Sequence, residues 1–238
     1  MVQGSDREKD LAAAFVELSD TLNAGREIVD LMDLLVQYAV RFTSAVEAGV
    51  LLAGPGGDLH VIASSSERTS DVEEAQLGSE AGPCLEAFAT GLSVDVPSVS
   101  DSRGEWQEFS DIAFARGFRA AHATPLELRG QRLGGLNVFF SVEGSTSAAE
   151  LALLGAFARI TAVSLAQQQA ARAQLTITDQ LRFALDSRII IEQAKGVIAQ
   201  RNGISVDLAF RMLRNYARST NAHLRELSEQ VVSKQLEL

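Results

Sequence analysis

The feature that most constrains the fold is a long segment without a helix breaker. Residues 156–195 contain neither glycine nor proline and are rich in Ala, Gln, Leu and Arg, which favour helix. The segment therefore predicts one long helix, or two nearly coaxial helices, over about residues 148–200. The sequence leaves open whether the helix continues through Thr176–Asp179, where β-branched residues cluster.

Residues on this helix recur at alternating steps of three and four. The positions are Leu151, Leu154, Ala158, Thr161, Leu165, Gln168, Arg172 and Leu175. Such spacing is typical of a coiled-coil seam, and the polar residues towards its end make the seam weak. We therefore expect a parallel homodimer that is held together by this helix.

Upstream of residue 148 the pattern mixes helices and strands. Apolar spacing predicts two helices within residues 6–45, separated near Asn23–Gly25. A Gly-Pro-Gly-Gly-Asp turn between two β-favouring segments predicts a hairpin. The remaining predicted elements are hairpin strands at 46–53 and 59–64, a loop, a short helix from about Gly82, a helix at 105–116, and strands at 119–128 and 132–141. This order predicts an α+β domain built on an antiparallel sheet.

The carboxyl-terminal part predicts three helices. The first ends at Asn202-Gly203, a left-handed stop, and Ser205 is suited to cap the second. The third carries Leu224, Leu227 and Val231 on its inner face. The predicted organisation is an N-terminal helix at 1–24, a sensor-like domain at 25–170, a helical linker at 171–177 and a helical domain at 178–238.

Composition excludes several classes of protein. Of the 238 residues, 46% are hydrophobic and 22% are charged, so the chain is not predicted to be disordered. No continuous apolar run reaches the roughly 18 residues that span a bilayer, and the amino end lacks the apolar core of a signal peptide. We expect a cytoplasmic protein without a membrane segment. The single cysteine, Cys84, and the absence of zinc-ligand spacing predict neither an internal disulfide nor a metal site.

Charge is distributed unevenly along the chain. Residues 1–170 hold 24 Asp and Glu against 11 Lys and Arg, whereas residues 171–238 hold 7 against 10; charges of −13 and +3 give the total of −10. An acidic body with a basic end predicts that any polyanion contacts the carboxyl-terminal segment. A solvated helical face is the alternative.

The second carboxyl-terminal helix carries an arginine stripe. Arg211, Arg214 and Arg218 lie opposite its apolar side, three and four residues apart. Such arginines repel each other by a few tenths of a kcal/mol per pair, so stability alone does not favour them. Bidentate recognition of phosphate does. Tyr216 lies beside the stripe, where its ring would stack on an unpaired base.

The preceding helix adds Arg188 and Lys195 on one face. Gly196 costs that helix about 1 kcal/mol relative to alanine, which predicts close approach by another helix or by a ligand.

Catalytic motifs are missing: there is no phosphate-binding glycine loop, no GxSxG and no HExxH. The chain is therefore not expected to be an enzyme. The simplest interpretation of Cys84 is a small buried hydrophobe, and that of His122 a hydrogen-bonded core or pocket residue.

These motifs occur together in one order. They are Arg188-Ile-Ile-Ile-Glu-Gln-Ala-Lys-Gly-Val-Ile198, Asn202-Gly-Ile-Ser205, Ala209-Phe210 and Leu213-Arg-Asn-Tyr-Ala-Arg218. Over about residues 178–232 the sequence resembles the ANTAR domain, a three-helix RNA-binding module of bacterial antitermination regulators. Members bind paired small hairpins in leader transcripts. The resemblance implies roles in RNA binding for the matched positions Ala194, Lys195, Gly196, Tyr216, Ala217 and Arg218, in agreement with the basic stripe.

A second resemblance covers about residues 25–170. Glu80-Ala-Gly-Pro-Cys-Leu-Glu86, Trp106 with Phe109, and Leu133-Gly-Gly-Leu-Asn-Val138 resemble a GAF domain of the kind that precedes ANTAR in actinobacterial proteins. This implies a sensor for a small molecule, with Cys84, His122 and Thr124 as candidate pocket residues. Signatures for cyclic nucleotides, for a bilin and for a phosphorylated receiver are absent, so the ligand or cofactor is unknown.

Together the patterns predict an α+β protein in which a GAF-like antiparallel sheet with flanking helices is joined by a long helix to an all-α three-helix ANTAR-like module. The leading hypothesis is a signal-responsive antitermination regulator that binds hairpin RNA. Its RNA-binding residues would be Arg188, Lys195, Arg211, Arg214 and Arg218 with the other matched positions. The alternatives are a ligand-binding sensor whose helical tail binds a protein partner, and a GAF-type reductase, which a lone cysteine disfavours.

Overall fold

A computed structural model of the chain describes residues 2–20, 27–54, 56–144, 146–171, 177–220 and 222–238. Five strands and nine α-helices lie within these residues. The strands are β1 (Glu47–Ala53), β2 (Leu59–Ser64), β3 (Val94–Val96), β4 (Ala120–Leu128) and β5 (Gln131–Phe140). The helices are α1 (Val2–Asp20), α2 (Ile28–Phe42), α3 (Glu67–Ser79), α4 (Pro83–Thr90), α5 (Gln107–Ala115), α6 (Ala148–Ala171), α7 (Ile177–Asn202), α8 (Val206–Thr220) and α9 (Leu224–Val232).

The strands form one antiparallel sheet in the order β2-β1-β5-β4-β3. Both predicted strand pairs, β1 with β2 and β4 with β5, are confirmed as antiparallel neighbours. The α+β class is therefore confirmed. β3 was not predicted, because three residues are too few to show an alternating pattern.

The two faces of the sheet carry separate cores. On one face, α2 and α6 pack on the strands, and the buried residues include Leu35, Val138 and Phe157. On the other face, α3, α4 and α5 enclose a smaller cluster that includes Phe109 and Phe139. Side chains alternate between these faces along each strand, so neighbouring strand residues lie in different cores.

α3 occupies part of a segment that the sequence analysis assigns to a loop. Its residues show little apolar periodicity, since Glu, Ser and Gln make up much of the helix. Its start is nevertheless capped, because the Ser66 hydroxyl accepts a hydrogen bond from the amide of Thr69 at 3.3 Å. α3 is thus a capped polar helix that tertiary contacts hold in place.

α6 serves the sensor core rather than a seam between copies. Leu154, Ala158, Thr161 and Leu165, four of the predicted seam positions, are at most 5% exposed, and the helix packs on β4, α1 and α2. The expectation that these residues pair with a second copy is wrong, because they are buried against the apolar face of the sheet. Of the other seam positions, Leu151 is partly buried. Gln168, Arg172 and Leu175, like the predicted linker and domain boundary, fall on residues whose side chains or backbone lie outside the described part.

One segment passes a length and composition test for crossing a membrane. Ala148–Gln167 has a mean hydropathy of 1.5 among the described residues. Glu150 and Arg159 interrupt it, which is why the sequence shows no continuous apolar run of that length. Core helices of soluble proteins pass the same test.

The last three helices pack on one another, and their buried residues continue the hydrophobic core of the α2 and α6 side of the sheet domain. Ala194, Ile198, Leu213, Leu227 and Val231 are all buried there. The predicted end of α7 and the predicted cap of α8 are confirmed. Gly203 has a left-handed φ of 63°, and the Ser205 hydroxyl accepts a hydrogen bond from the amide of Leu208 at 3.3 Å. α7 also packs on β2 and α2, so the module lies directly against the sheet domain.

Candidate nucleic-acid interface

α8 is amphipathic in the sense the sequence predicts. Ala209, Leu213 and Ala217 are buried in the module core, whereas Arg211 and Arg218 are exposed. The expectation that Arg214 is exposed as well is wrong. This difference arises because α8 lies beside α2 of the sheet domain, and Arg214 points into the contact between them.

Arg214 forms the most enclosed ion pair of that contact. Its guanidinium pairs with the carboxylate of Asp33 on α2, and the two side chains are 13% and 12% exposed. The same guanidinium donates to the Ser64 carbonyl at 3.3 Å and lies 3.9 Å from the centroid of the Phe210 ring. Burial raises the pKa of Asp33, while the nearby Arg214 and Arg218 act to lower it. Arg214 Nε is buried and has no hydrogen-bond partner in the described chain.

Lys195 is almost completely enclosed, with 3% of its side chain exposed. Its ammonium donates to Glu67 at the start of α3 and to Glu192 on its own helix at 2.9 Å, and it lies 4.8 Å from the centroid of Phe210. Two carboxylates thus lie within ion-pair distance of this one ammonium group. Beside them, the amide of Glu67 donates to the carboxylate of Asp207 on α8 at 3.1 Å.

Arg188 and Arg218 also reach the sheet domain. Arg188 donates to the Val61 carbonyl at 2.7 Å, to the Ser70 hydroxyl at 3.1 Å and to Glu74 at 3.0 Å. Arg218 donates to the side-chain oxygen of Gln37 on α2. Four of the five basic residues that the sequence assigns to RNA therefore contact the sheet domain, and the exposed Arg211 is the fifth.

The remaining matched positions divide between the core and the surface. Ala194 and Ala217 are buried in the module core, and Tyr216 is partly buried against it. Gly196 is exposed on α7, and a Cβ built there would have nothing within 4 Å. The explanation that another helix needs this glycine is therefore wrong for the described residues. Approach by a ligand remains the prediction for Gly196.

The three candidate pocket residues do not share one pocket. Cys84 lies against Gly135, where an added Cβ would stand 2.6 Å from the cysteine sulfur. His122 and Thr124 pair with Val138 and Leu136, so strand alternation places their side chains on the opposite face. His122 pairs with Asp95 at 3.2 Å, and burial lowers the pKa of His122. Burial raises the pKa of the Cys84 thiol, as expected for a small buried residue.

Sequence reasoning missed a buried polar cluster on the Cys84 face. Glu73 Oε2 accepts from Gln76 at 2.9 Å and from Asn137 at 2.6 Å, and Gln76 in turn accepts from the amide of Cys84 at 3.0 Å. Glu73 Oε1 and Asn137 Oδ1 have no hydrogen-bond partner among the described residues. Burial raises the pKa of Glu73 to about 8, against the lowering effect of the Asn137 bond. An asparagine within the apolar strand Leu136–Val138 was the available signal.

Sequence reasoning also missed the acidic partners of the basic residues. Asp33, Glu67 and Glu74 belong to the acidic body whose excess charge the sequence shows. Repulsion of an external polyanion is one consequence of that asymmetry. The same asymmetry also indicates that the acidic domain can bind the basic end of its own chain.

No group of three metal-ligating side chains occurs in the part of the chain that the structure describes.

Comparison with protein families gives two matches. A GAF domain model matches residues 25–166, and an ANTAR domain model matches residues 179–232. The first match covers the sheet domain, and the second covers α8, α9 and all but the first two residues of α7. No curated protein matches the sequence.

Solved structures similar to the chain include GAF domains of three other proteins. The GAF domain of a phosphoenolpyruvate-protein phosphotransferase from Acinetobacter is 14% identical with a TM-score of 0.53, covering 70% of this chain and 96% of that one. The GAF domain of the cyanobacteriochrome TePixJ is 16% identical with a TM-score of 0.52, covering 61% and 92%. The third GAF domain of Slr1393 from Synechocystis is 18% identical with a TM-score of 0.51, covering 63% and 100%. At these identities the likeness shows the fold alone.

Proposed function

Because the chain belongs to the GAF family and carries an ANTAR domain behind its GAF domain, we propose that it is a signal-responsive, RNA-binding antitermination regulator of the cytoplasm. ANTAR is an RNA-binding antitermination domain, and GAF is a small-molecule sensor. Both are regulatory, non-catalytic domains that are typically soluble. In the proposal, the GAF domain receives a small molecule and the ANTAR domain grips paired hairpins of a leader transcript.

The observation that carries the proposal is the arginine stripe on α8. Arg211, Arg214 and Arg218 lie three and four residues apart on α8, within a module that matches the ANTAR family. Arg211 and Arg218 are exposed, and Arg214 pairs with Asp33 of the GAF domain. Within α8 itself the three arginines repel one another and add no stability. Each can make a bidentate contact with phosphate, Arg214 and Arg218 once they are released from α2. Tyr216 of the same helix is partly buried against the module core, and in the proposal the exposed part of its ring stacks on an unpaired base.

Arg211 gives the cleanest test, because it is exposed and its removal leaves the contact with the GAF domain intact. Arg211→Ala should weaken binding of the full chain to a two-hairpin RNA by roughly tenfold or more, since a lost charge-assisted hydrogen bond costs roughly 1.5–3 kcal/mol. Arg159→Ala is the matched control: it removes the same charge from the exposed side of α6 in the GAF domain, and it should leave binding unchanged.

Binding is measured at two salt concentrations and on a control RNA with scrambled loops. Affinity should fall steeply with salt, because each phosphate contact releases counterions. Absence of RNA binding at the lower salt, both by the parent and by Asp33→Asn, in which the partner of Arg214 is removed, would contradict the proposal. A protein partner for the helical tail would then be the better hypothesis.

A further inference from the structure

The surface of the GAF domain that meets the ANTAR module is acidic where the module is basic. Asp33 on α2 faces Arg214, Glu67 faces Lys195, and Glu74 faces Arg188. At the edge of the contact, Asp30 lies 3.4 Å from the Nδ1 atom of His223. Three carboxylates therefore pair with three of the basic side chains that the sequence assigns to RNA binding.

Carboxylate and phosphate oxygens make the same kind of contact with a guanidinium or an ammonium group. We propose that the described arrangement is a closed state, in which Asp33, Glu67 and Glu74 occupy the places of RNA phosphates and the GAF domain competes with RNA for the ANTAR module. This inference rests on the proposed function and names the regulation of its binding surface.

Burial makes the competition exclusive. With 3% of the Lys195 side chain and 13% of the Arg214 side chain exposed, a phosphate cannot reach either group while the module stays docked. Opening must separate the ion pairs and expose Asp33. When only a fraction of the protein is open, the apparent RNA affinity is reduced by that fraction. A signal that separates the two domains would therefore tighten RNA binding without any change in the RNA-binding residues.

The test weakens the closed state from the GAF side. Asp33→Asn and Glu67→Gln leave every ANTAR residue in place but remove partners of Arg214 and Lys195. Each should tighten binding of the full chain to a two-hairpin RNA by about tenfold or more, since breaking one partner of an enclosed ion pair strongly destabilises the docked arrangement. Glu86→Gln is the charge-matched control, because Glu86 is an exposed acid in the first turn of α4. It should change RNA affinity little. Circular dichroism checks that each variant is folded.

A second readout needs no RNA. The chain has three lysines, and Lys9 and Lys234 are exposed whereas Lys195 is not. In the parent, an amine-reactive label followed by mass spectrometry should modify Lys195 much more slowly than the other two. Asp33→Asn does not touch the Lys195 contacts, yet it should accelerate labelling of Lys195 severalfold if it undocks the module.

The outcomes separate the two proposals. Tighter RNA binding with faster Lys195 labelling in Asp33→Asn and Glu67→Gln supports the closed state. Labelling of Lys195 at the rate of Lys9 in the parent, with equal RNA affinity in all variants, overturns the closed state and leaves the RNA function standing. If labelling accelerates but no variant binds RNA, the docked contact is real, and both the RNA function and the competition with RNA are wrong.

Discussion

Glu73 is a carboxylic acid in a fully enclosed site. It is fully buried, its Oε2 accepts from Gln76 and Asn137, and its Oε1 has no partner among the described residues. Burial removes water from the carboxylate and disfavours its charged form, which raises the pKa of Glu73 to about 8. The group is thus neutral in the folded protein over a range where it would be ionised in the unfolded chain.

The stability of the parent should therefore fall as the pH rises from about 4.5 to 8. In this window the folded state holds a proton on Glu73 that the unfolded state has released, so raising the pH favours unfolding. Each pKa unit corresponds to about 1.4 kcal/mol, so the total effect should be a few kcal/mol. Glu73→Gln removes the ionisable carboxyl group and should flatten the pH dependence of the unfolding free energy, which urea unfolding at several pH values measures. Glu86→Gln should retain the parent slope; identical slopes in parent and Glu73→Gln would contradict the assignment.

At the scale of elements, α7–α9 were predicted well because each signals its own ends. Gly203 stops α7, and Ser205 caps α8. α3 escaped prediction because its helical state depends on contacts with β1, β2 and α5 rather than on an apolar stripe. The docking of Arg188, Lys195 and Arg214 could not be predicted either, because a basic face has the same sequence pattern whether solvent, RNA or an acidic protein surface covers it.

Gly196 offers a prediction at the same scale. Gly196→Ala should stabilise the protein by roughly 0.5–1 kcal/mol, because alanine is the better helix former and its Cβ meets nothing within 4 Å. If RNA approaches α7 closely at this point, the same change should weaken RNA binding. Gly78→Ala is the matched control, since Gly78 is an exposed glycine in α3 with equally open space. Thermal unfolding and RNA titration measure the two effects; unaltered RNA binding in Gly196→Ala would remove this glycine from the interface.

For the whole molecule, we still expect a homodimer, but not through the buried side of α6. Leu154 and Leu165 already serve the sheet core, so a second copy would have to pair beyond them. Light scattering should give about twice the 25.5 kDa chain mass at micromolar concentration. A mass of one chain, with and without RNA, would show that the long helix acts within a single copy.

α3 spans the distance between the two halves of this protein. Its first residue, Glu67, holds Lys195, and its middle residues Glu73 and Gln76 line the polar interior of the GAF domain. On the proposed closed state, a small molecule that shifts this helix alters the hold on the ANTAR module. Thermodynamic reciprocity then requires that RNA change the affinity of the sensor for its ligand by the same factor. A nascent transcript would act as an effector of the sensor as well as its target.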